Sequence, residues 1–104
     1  MVAIAIAMAA TLSLDRYVVD VLMPDLVGHD RKPSAFLVYL LIEARDAVRE
    51  PLGYSAIAER TGLSRRTCQD AIGHLERRGL IAVERRADNE AAWFRPLRPW
   101  IRRQ

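Results

Sequence analysis

Two short helical segments that follow each other almost directly constrain this sequence more than any other feature. The first covers residues 55–61 and the second covers residues 64–78, so only a tight turn can join them. Helices joined in this way cross steeply, which requires a small side chain where they touch and a permissive backbone where the chain reverses. Ala58 provides the small side chain, and Gly62 provides the permissive backbone. The spacing therefore predicts two closely packed, steeply crossed helices.

The ends of these segments agree with this prediction, and a hairpin pattern follows them. Ser55 opens the first helix, Ser64 is placed to cap the second, and Gly79 is placed just past its end. Residues 80–86 and 91–95 then have the pattern of two strands, which polar turn residues connect. The order predicted for this half of the chain is helix, helix, hairpin.

An amphipathic helix and a uniformly apolar helix precede the pair. Residues 13–23, which Ser13 caps, place apolar side chains along one stripe. Pro24 interrupts the pattern, although residues 25–27 can add a further turn before a polar loop at residues 28–32. Pro33 suits the first turn of the next helix, in which residues 35–42 are all apolar or tyrosine. A helix that is apolar on all sides must be covered on most of them. We expect the N-terminal helix, a second subunit, or both to cover it.

Charge is unevenly distributed along the chain. Residues 1–59 carry five basic and eight acidic side chains, a net charge of −3. Residues 60–104 carry eleven arginines and five acidic side chains, a net charge of +6. A segregated basic half is typical of proteins that bind a polyanion, although a solvated basic surface gives the same pattern. Charge alone does not decide between these two interpretations.

A family resemblance rests on Ala58, Gly62 and Leu63, followed by Ser-Arg-Arg-Thr, by Leu-Glu-Arg-Arg-Gly-Leu-Ile and by the hairpin pattern. Residues 55–81 resemble the winged helix-turn-helix of bacterial GntR-type and MarR-type regulators. They resemble equally the helix-turn-helix modules of plasmid and phage replication proteins. The resemblance covers about residues 33–95. It implies that the second helix of the pair, the recognition helix, lies in the major groove of DNA and that the hairpin wing touches the backbone or the minor groove.

The fold class expected is mainly α with a small β-hairpin, a winged helix-turn-helix with an extra N-terminal helix. A chain of 104 residues can bury one core but cannot divide into two domains. The boundaries that follow are an apolar extension at residues 1–12 and a single domain at residues 13–104. Within the domain we expect an accessory helix and loop (13–32), the winged-helix core (33–96) and a basic tail (97–104).

The recognition helix has two predicted faces. The helical step of about 100° per residue gathers four small or apolar side chains towards the core. These are Cys68, Ala71, Ile72 and Leu75. The opposite face carries Arg66, Asp70, Gly73 and Arg77, with Gln69 beside them.

The N-terminal end of the recognition helix carries groups that suit bases and phosphates. Arg65 and Arg66 can pair with guanine O6 and N7, and Gln69 can pair with adenine N6 and N7. The hydroxyls of Ser64 and Thr67, together with the first amides of the helix, suit phosphate oxygens. We therefore expect this end to enter the groove.

Two residues fit a DNA-binding face less simply. The carboxylate of Asp70 opposes phosphate, so it either accepts from cytosine N4 or, as we favour, pairs with Arg66 four residues earlier and orients it. Gly73 in a helix interior costs about 1 kcal/mol relative to alanine. A close approach to DNA and simple tolerance explain this glycine equally well.

The wing adds further arginines. Arg85 and Arg86 flank its turn and are expected to meet phosphates, whereas the acidic tip at residues 88–90 argues against deep insertion into the minor groove. We also expect one of Trp93 and Phe94, which alternate sides of a strand, to lie in the core. The basic surface would extend through Arg95, Arg98, Arg102 and Arg103.

Nothing in the sequence is typical of catalysis or of a metal site. His29 and His74 lie far apart, and neither has a partner histidine or cysteine at metal-ligand spacing. Asp25 and His29, four residues apart, have a spacing that can bind a metal, but their Pro-Asp and Gly-His context is typical of an ordinary polar loop. Cys68 is the only cysteine, which excludes a disulfide and fits a cytoplasmic protein. Residues 1–10 are apolar but too few for a membrane span, which needs about 20. We expect no enzyme, no cofactor and no metal.

These features favour sequence-specific binding of double-stranded DNA by a dimeric transcriptional regulator, with residues 12–48 providing the contacts of the homodimer. An alternative is a winged-helix module for protein interaction or assembly, whose arginines bind an acidic protein surface. A plasmid or phage replication factor is a third possibility, because its DNA-reading part would be the same.

Overall fold

The structure, a computed structural model, describes residues 11–46, 52–84 and 93–101. Within these residues the chain forms an N-terminal helix, three further helices and a two-stranded antiparallel sheet. The three helices are α1 (Pro33–Asp46), α2 (Tyr54–Thr61) and α3 (Arg65–Arg77), and the strands are β1 (Ile81–Glu84) and β2 (Trp93–Pro96). The predicted fold class, mainly α with a small β-hairpin, is confirmed.

The N-terminal helix is mostly π-helical and therefore has wider turns than the α-helix that the sequence predicts. It consists of two π-helical segments, Val18–Leu22 and Pro24–His29, which Met23 joins without a break. The amide of Met23 donates to the carbonyl of Val18, five residues back, as in a π-helix. The further turn that the sequence allows after Pro24 is present and extends to His29, so Pro24 does not end the helix. Proline occupies the first position of the second segment, where a missing N–H needs no partner within the helix.

Both ends of the N-terminal helix also differ from the prediction. Residues 11–15 are not helical, so Ser13 does not cap this helix. At the other end the helix reaches His29, within the predicted polar loop, and the amide of Lys32 donates to the carbonyl of Leu26 at 2.7 Å. Hydrogen bonds that span five or six residues pair the backbone groups of this region, which a loop would leave to solvent.

Buried side chains explain why the N-terminal helix continues past its proline. Val18, Leu22 and Leu26 recur at every fourth residue and are at most 3% exposed. The second segment packs against α1 and so covers one side of that apolar helix. Burial of these three aliphatic side chains stabilises the helical path that local sequence signals disfavour.

α1 lies at the centre of the core. It begins at Pro33, as predicted, and is surrounded by the N-terminal helix, α2, α3 and β2. Its fully covered side chains include Val38, Tyr39 and Ile42, each at most 1% exposed. Leu37 is 45% exposed, so the N-terminal helix covers α1 only in part.

α2 begins one residue earlier than predicted. Its first residue is Tyr54, and Gly53 is the N-cap, without a side-chain capping hydrogen bond. The ring of Tyr54 packs against Phe94, with ring centroids 5.8 Å apart. This contact holds Tyr54 in the first turn, so Ser55 lies inside the helix instead of opening it.

The turn between α2 and α3 depends on Gly62. Its φ of 81° lies in the left-handed region, and its amide donates to the carbonyl of Ala58 at 2.8 Å. The hydroxyl of Thr61 donates to the carbonyl of Ile57 at 2.7 Å and accepts from the amide of Leu63 at 3.2 Å. These bonds satisfy the backbone where α2 ends, and the chain reverses at Gly62 as predicted.

Replacing Gly62 by alanine is expected to lower the free energy of unfolding by about 1–2 kcal/mol, because a Cβ disfavours the left-handed conformation. No atom lies within 4 Å of a Cβ built at this position, so the loss is conformational and not steric. Urea denaturation followed by circular dichroism measures it. The control is Gly28→Ala, at a position that is equally open and lacks a left-handed φ. Equal losses in the two variants would contradict this explanation.

α3 ends in a Schellman motif, with Gly79 where the sequence predicted it. Gly79 has a φ of 72°, and its amide donates to the carbonyl of Glu76 at 3.0 Å. The amide of Leu80 donates to the carbonyl of Leu75 at 3.0 Å, and both leucine side chains are buried. The motif ends the helix and directs the chain into β1.

The strands pair in an antiparallel register that opposes Ile81 to Pro96 and Val83 to Phe94. Pro96 is therefore the last residue of β2, one residue beyond the predicted end of this strand. A proline is tolerated in a two-stranded sheet because each strand has one unpaired edge. The connection at residues 85–92 lies outside the described residues.

A polar network attaches the chain after β2 to α1. Arg98 donates through Nη2 to Oε1 of Glu43 at 2.7 Å and through Nε to Oε2 at 3.1 Å, and it also reaches Asp46 at 3.4 Å. The hydroxyl of Tyr39 donates to the same Glu43 carboxylate at 2.8 Å. The prediction that Arg98 extends the basic surface is wrong, because the buried carboxylate of Glu43 neutralises it.

The short contacts of Arg98 and Tyr39 with Glu43 shift two pKa values. The hydrogen bond with Glu43 raises the pKa of the Arg98 guanidinium. Burial, with the Glu43 hydrogen bond second, raises the pKa of the Tyr39 hydroxyl. Both shifts favour the protonated forms of Arg98 and Tyr39, which are the forms that donate to the Glu43 carboxylate.

Trp100 connects the end of the described chain to the N-terminal helix. Its ring stacks on Tyr17, with centroids 4.6 Å apart and an interplanar angle of 12°. Its indole nitrogen donates to the carboxylate of Asp15 at 3.1 Å. The first residues of the predicted basic tail are thus packed against the domain.

Candidate nucleic-acid interface

α3 has one buried face and one exposed face. The side chains predicted to face the core are at most 2% exposed: Cys68, Ala71, Ile72 and Leu75. The predicted site residues on the opposite side are exposed: Arg66, Gln69, Asp70 and Arg77. The core fixes the buried face and leaves the polar face towards solvent.

A capping interaction organises the start of α3. Oγ of Ser64 accepts from the amide of Thr67 at 3.0 Å, which confirms Ser64 as the N-cap. The Ser64 hydroxyl also donates to Oγ1 of Thr67 at 2.8 Å. Ser64 is exposed and Thr67 is half-buried, so both hydroxyls lie at the edge of the exposed face. The cap holds them beside the first amides of the helix, the positive end of the helix dipole.

Three charged residues occupy the first two turns of α3. The guanidinium of Arg65 donates to the hydroxyl of Ser55 at 3.4 Å, which links α3 to α2. Among the described residues, Arg66 and Asp70 form no ion pair with each other, so the favoured pairing between them is not present. Both side chains extend into solvent. A ligand can reach the Arg66 guanidinium without displacing a partner carboxylate of the described chain.

Gly73 and Arg77 form the C-terminal part of the exposed face. Nη1 of Arg77 lies 3.3 Å from the position that a Cβ of Gly73 would occupy. The guanidinium thus lies over the space that the missing side chain leaves. Because this atom is the far end of a flexible side chain, it can move away at little cost.

Replacing Gly73 by alanine is expected to raise the free energy of unfolding by about 0.5–1 kcal/mol, because alanine is the better helix former. Chemical denaturation of the free protein measures the change. A fall in DNA affinity in the same variant would favour close approach of this helix to DNA, and unchanged affinity would favour tolerance. Lower stability of the free protein would contradict the helix-propensity argument.

The arginines predicted on the wing fall mostly beyond the described residues. Arg85 and Arg86 lie outside them, as do Arg102 and Arg103. Arg95 is described, and its guanidinium lies 3.5 Å from the carboxylate of Glu84 across the exposed sheet. Phe94 is 5% exposed, so the prediction that one of the two adjacent aromatic residues is core is confirmed.

Sequence reasoning missed a network of charged side chains at the other end of α3. Oδ1 of Asp30 lies 2.8 Å from Nδ1 of His29, and Oδ2 of Asp30 lies 2.8 Å from Nε2 of His74. The guanidinium of Arg78 pairs with Asp30 at 3.1 Å and also with Asp25. The only signal in the sequence is that the two pairs Asp25 and His29, and His74 and Arg78, each share a helix face. Nothing in the sequence indicates that the two faces meet.

The pKa values in this network shift in the directions that its contacts require. The hydrogen bonds with His29 and His74 lower the pKa of the Asp30 carboxyl, and the hydrogen bond with Asp30 raises the pKa of the His29 imidazole. Ligand atoms of Asp25, His29 and Asp30 lie within 4.8 Å of one another. Because Arg78 already pairs with both carboxylates, we assign this cluster to internal ion pairing and not to a cation site.

The geometry of α2, the Gly62 turn, α3 and the hairpin defines a winged helix-turn-helix fold. Residues 32–81 match the model of a family described as a helix-turn-helix domain. The matched region spans α1, α2 and α3 and reaches the first residue of β1, the elements that form the helix-turn-helix in this structure. No curated protein and no solved structure matches the chain.

A membrane-spanning role finds no support in the described residues, where no helix combines the length and the apolar character that a span requires.

Proposed function

We propose that this protein is a sequence-specific, dimeric transcriptional regulator that binds double-stranded DNA. The helix-turn-helix match at residues 32–81 suggests DNA binding. The observation that carries the proposal is the exposed face of α3, where Arg66, Gln69 and Arg77 extend into solvent from a helix whose other face is buried. The resemblance of residues 55–81 to GntR-type and MarR-type regulators supports the same class of function.

In the proposed complex the N-terminal end of α3 lies in the major groove. Arg65 and Arg66 read guanine, and Gln69 reads adenine. The capped N-terminus contacts a phosphate through its amides and hydroxyls. The full set of residues proposed for DNA contact is Ser64, Arg65, Arg66, Thr67, Gln69, Asp70, Gly73 and Arg77 on α3, with Arg85 and Arg86 on the wing.

The charge distribution supports this orientation. The half of the chain that contains α3 and the hairpin has a net charge of +6, and the preceding half has a net charge of −3. Because Arg78 and Arg98 pair with acidic side chains of the preceding half, the attraction to a polyanion rests on the other arginines, among them the exposed ones of α3. Asp70 fits the proposal as an acceptor for cytosine N4, since the alternative pairing with Arg66 is not present in the described structure.

The N-terminal half provides the surface proposed for the homodimer. Seven of the eight large hydrophobic side chains that are exposed in the described residues lie there: Leu12, Tyr17, Val19, Val21, Met23, Val27 and Leu37. Exposed apolar side chains concentrated in one part of a chain are typical of interaction surfaces. Because this surface is in the acidic half, residues 12–48 can join two copies while both basic faces remain available to one duplex.

Selection of bound duplexes from a random pool tests the proposal. The wild-type protein is expected to enrich an inverted repeat whose half-sites lie about 10 base pairs apart, one helical turn. Its affinity should fall linearly with salt on logarithmic axes, with a slope of about 0.9 for each phosphate contact. Failure to enrich any sequence would refute the proposal. Enrichment of a single half-site by a monomer would refute only the dimer.

A further inference from the structure

The Asp30 carboxylate connects the N-terminal helix to the C-terminal end of α3. Its side chain is 8% exposed, and its Oδ2 atom lies 2.8 Å from Nε2 of His74 and 3.1 Å from Nε of Arg78. Arg78 immediately follows the last residue of α3. Hydrogen bonds that involve a charged group in a partly buried place are strong and directional.

Packing and polar contacts restrain α3 in different ways. Its buried side chains fix which face of the helix meets the core. The polar contact at its N-terminal end, between Arg65 and Ser55, is long at 3.4 Å and exposed. At its C-terminal end, charged contacts of Asp30 with His74 and Arg78, together with the Asp25–Arg78 pair, join the helix to the N-terminal helix.

Asp30 is itself held in place by the backbone. Its amide donates to the carbonyl of Asp25 at 2.8 Å, and in the same turn the amide of Lys32 donates to the carbonyl of Leu26. Arg31, which follows, has a φ of 56°, and α1 begins two residues later at Pro33. The carboxylate therefore stands at a fixed point between the N-terminal helix and the central helix of the core.

We propose that Asp30 is a positioning residue for DNA recognition. It fixes the angle at which α3 presents its exposed face, although it lies outside the helix-turn-helix and contacts no DNA. This inference rests on the proposed function. Loss of the Asp30 contacts should weaken the specific complex more than the non-specific one, because base contacts demand an orientation of α3 that phosphate contacts do not.

The test compares Asp30→Asn with Asp20→Asn. Both changes remove one negative charge from the N-terminal half of the chain, but the ion pair of Asp20 in the described residues is with the exposed Arg16 and not with α3. The readout is the ratio of affinities for the selected duplex and for a scrambled duplex. The ratio is expected to fall about tenfold in Asp30→Asn and less than about twofold in Asp20→Asn, since supporting contacts set the geometry of a site.

A second pair of variants keeps the test decisive if Asp30→Asn does not fold. In His74→Gln the side-chain amide retains a donor near the position of Nε2, and in His74→Leu the donor is lost. His74→Gln is expected to keep the wild-type ratio and His74→Leu to lower it, with circular dichroism showing that both are folded.

Equal ratios in the folded members of each pair would overturn the positioning role and leave the proposed function intact. If the wild-type protein selects no duplex, the proposed function fails and this inference fails with it. The two failures are therefore distinguishable.

Discussion

Replacing Arg66 by alanine is expected to weaken binding to the selected duplex by about 1–3 kcal/mol, the range for loss of one bidentate contact to guanine. Arg66 is exposed near the start of α3, and no ion pair restrains it within the described part of the chain. The same substitution should relax sequence preference at one position of each half-site. Fluorescence anisotropy titrations and a repeated duplex selection measure the two effects.

The matched control for this prediction is Arg16→Ala. Arg16 is also an exposed arginine, with a side chain that is 90% exposed, but it lies on the N-terminal helix and pairs with Asp20. Both substitutions remove one positive charge, so a loss shared by the two variants would be an effect of net charge. If Arg66→Ala keeps the wild-type selectivity at every position, then Arg66 is not a base-reading residue.

Replacing Glu43 by alanine is expected to lower the free energy of unfolding by about 3 kcal/mol, which is typical when one partner of a buried ion pair is removed. The Glu43 side chain is 6% exposed and receives hydrogen bonds from Arg98 and from Tyr39. Its loss removes the closest acceptors of the Arg98 guanidinium and the Tyr39 hydroxyl, which keep longer contacts with Asp46 and with the carbonyl of Leu97. Thermal and urea denaturation measure the change.

An exposed ion pair of the same chain provides the control for Glu43. The carboxylate of Glu84 lies 3.5 Å from Arg95, and both side chains are about half exposed, at 51% and 52%. Because water screens such a pair, Glu84→Ala should cost less than about 0.5 kcal/mol. Comparable losses in the two variants would show that burial of the Glu43 network does not stabilise the fold as argued.

Local signals in the sequence correctly predicted the centre of the domain. Gly62 reverses the chain between α2 and α3, Ser64 caps α3, and Gly79 ends it. One or two residues determine the backbone conformation at each of these positions, because only glycine adopts a left-handed φ at little cost and only a few side chains cap a helix. The buried face of α3 follows equally directly from its period of about 3.6 residues.

The errors concern positions where contacts distant in sequence outweigh a local signal. Pro24 signals a break, but the burial of Leu22 and Leu26 keeps the chain helical across it. Arg98 was assigned to the basic surface because its charge is visible in the sequence, whereas its partner Glu43 lies 55 residues earlier. The same is true of Ser55, which the packing of Tyr54 places inside α2.

The sequence by itself determined that two helices meet at a glycine turn, that Ser64 caps the second, and that an arginine-rich face is left opposite an aliphatic one. Only the tertiary structure decided that Asp30 meets His74, 44 residues later in the chain, and that Arg78 is held there. The physical reason is that caps and helical periods depend on neighbouring residues. An ion pair between two helices depends on the angle and distance at which the core packs them.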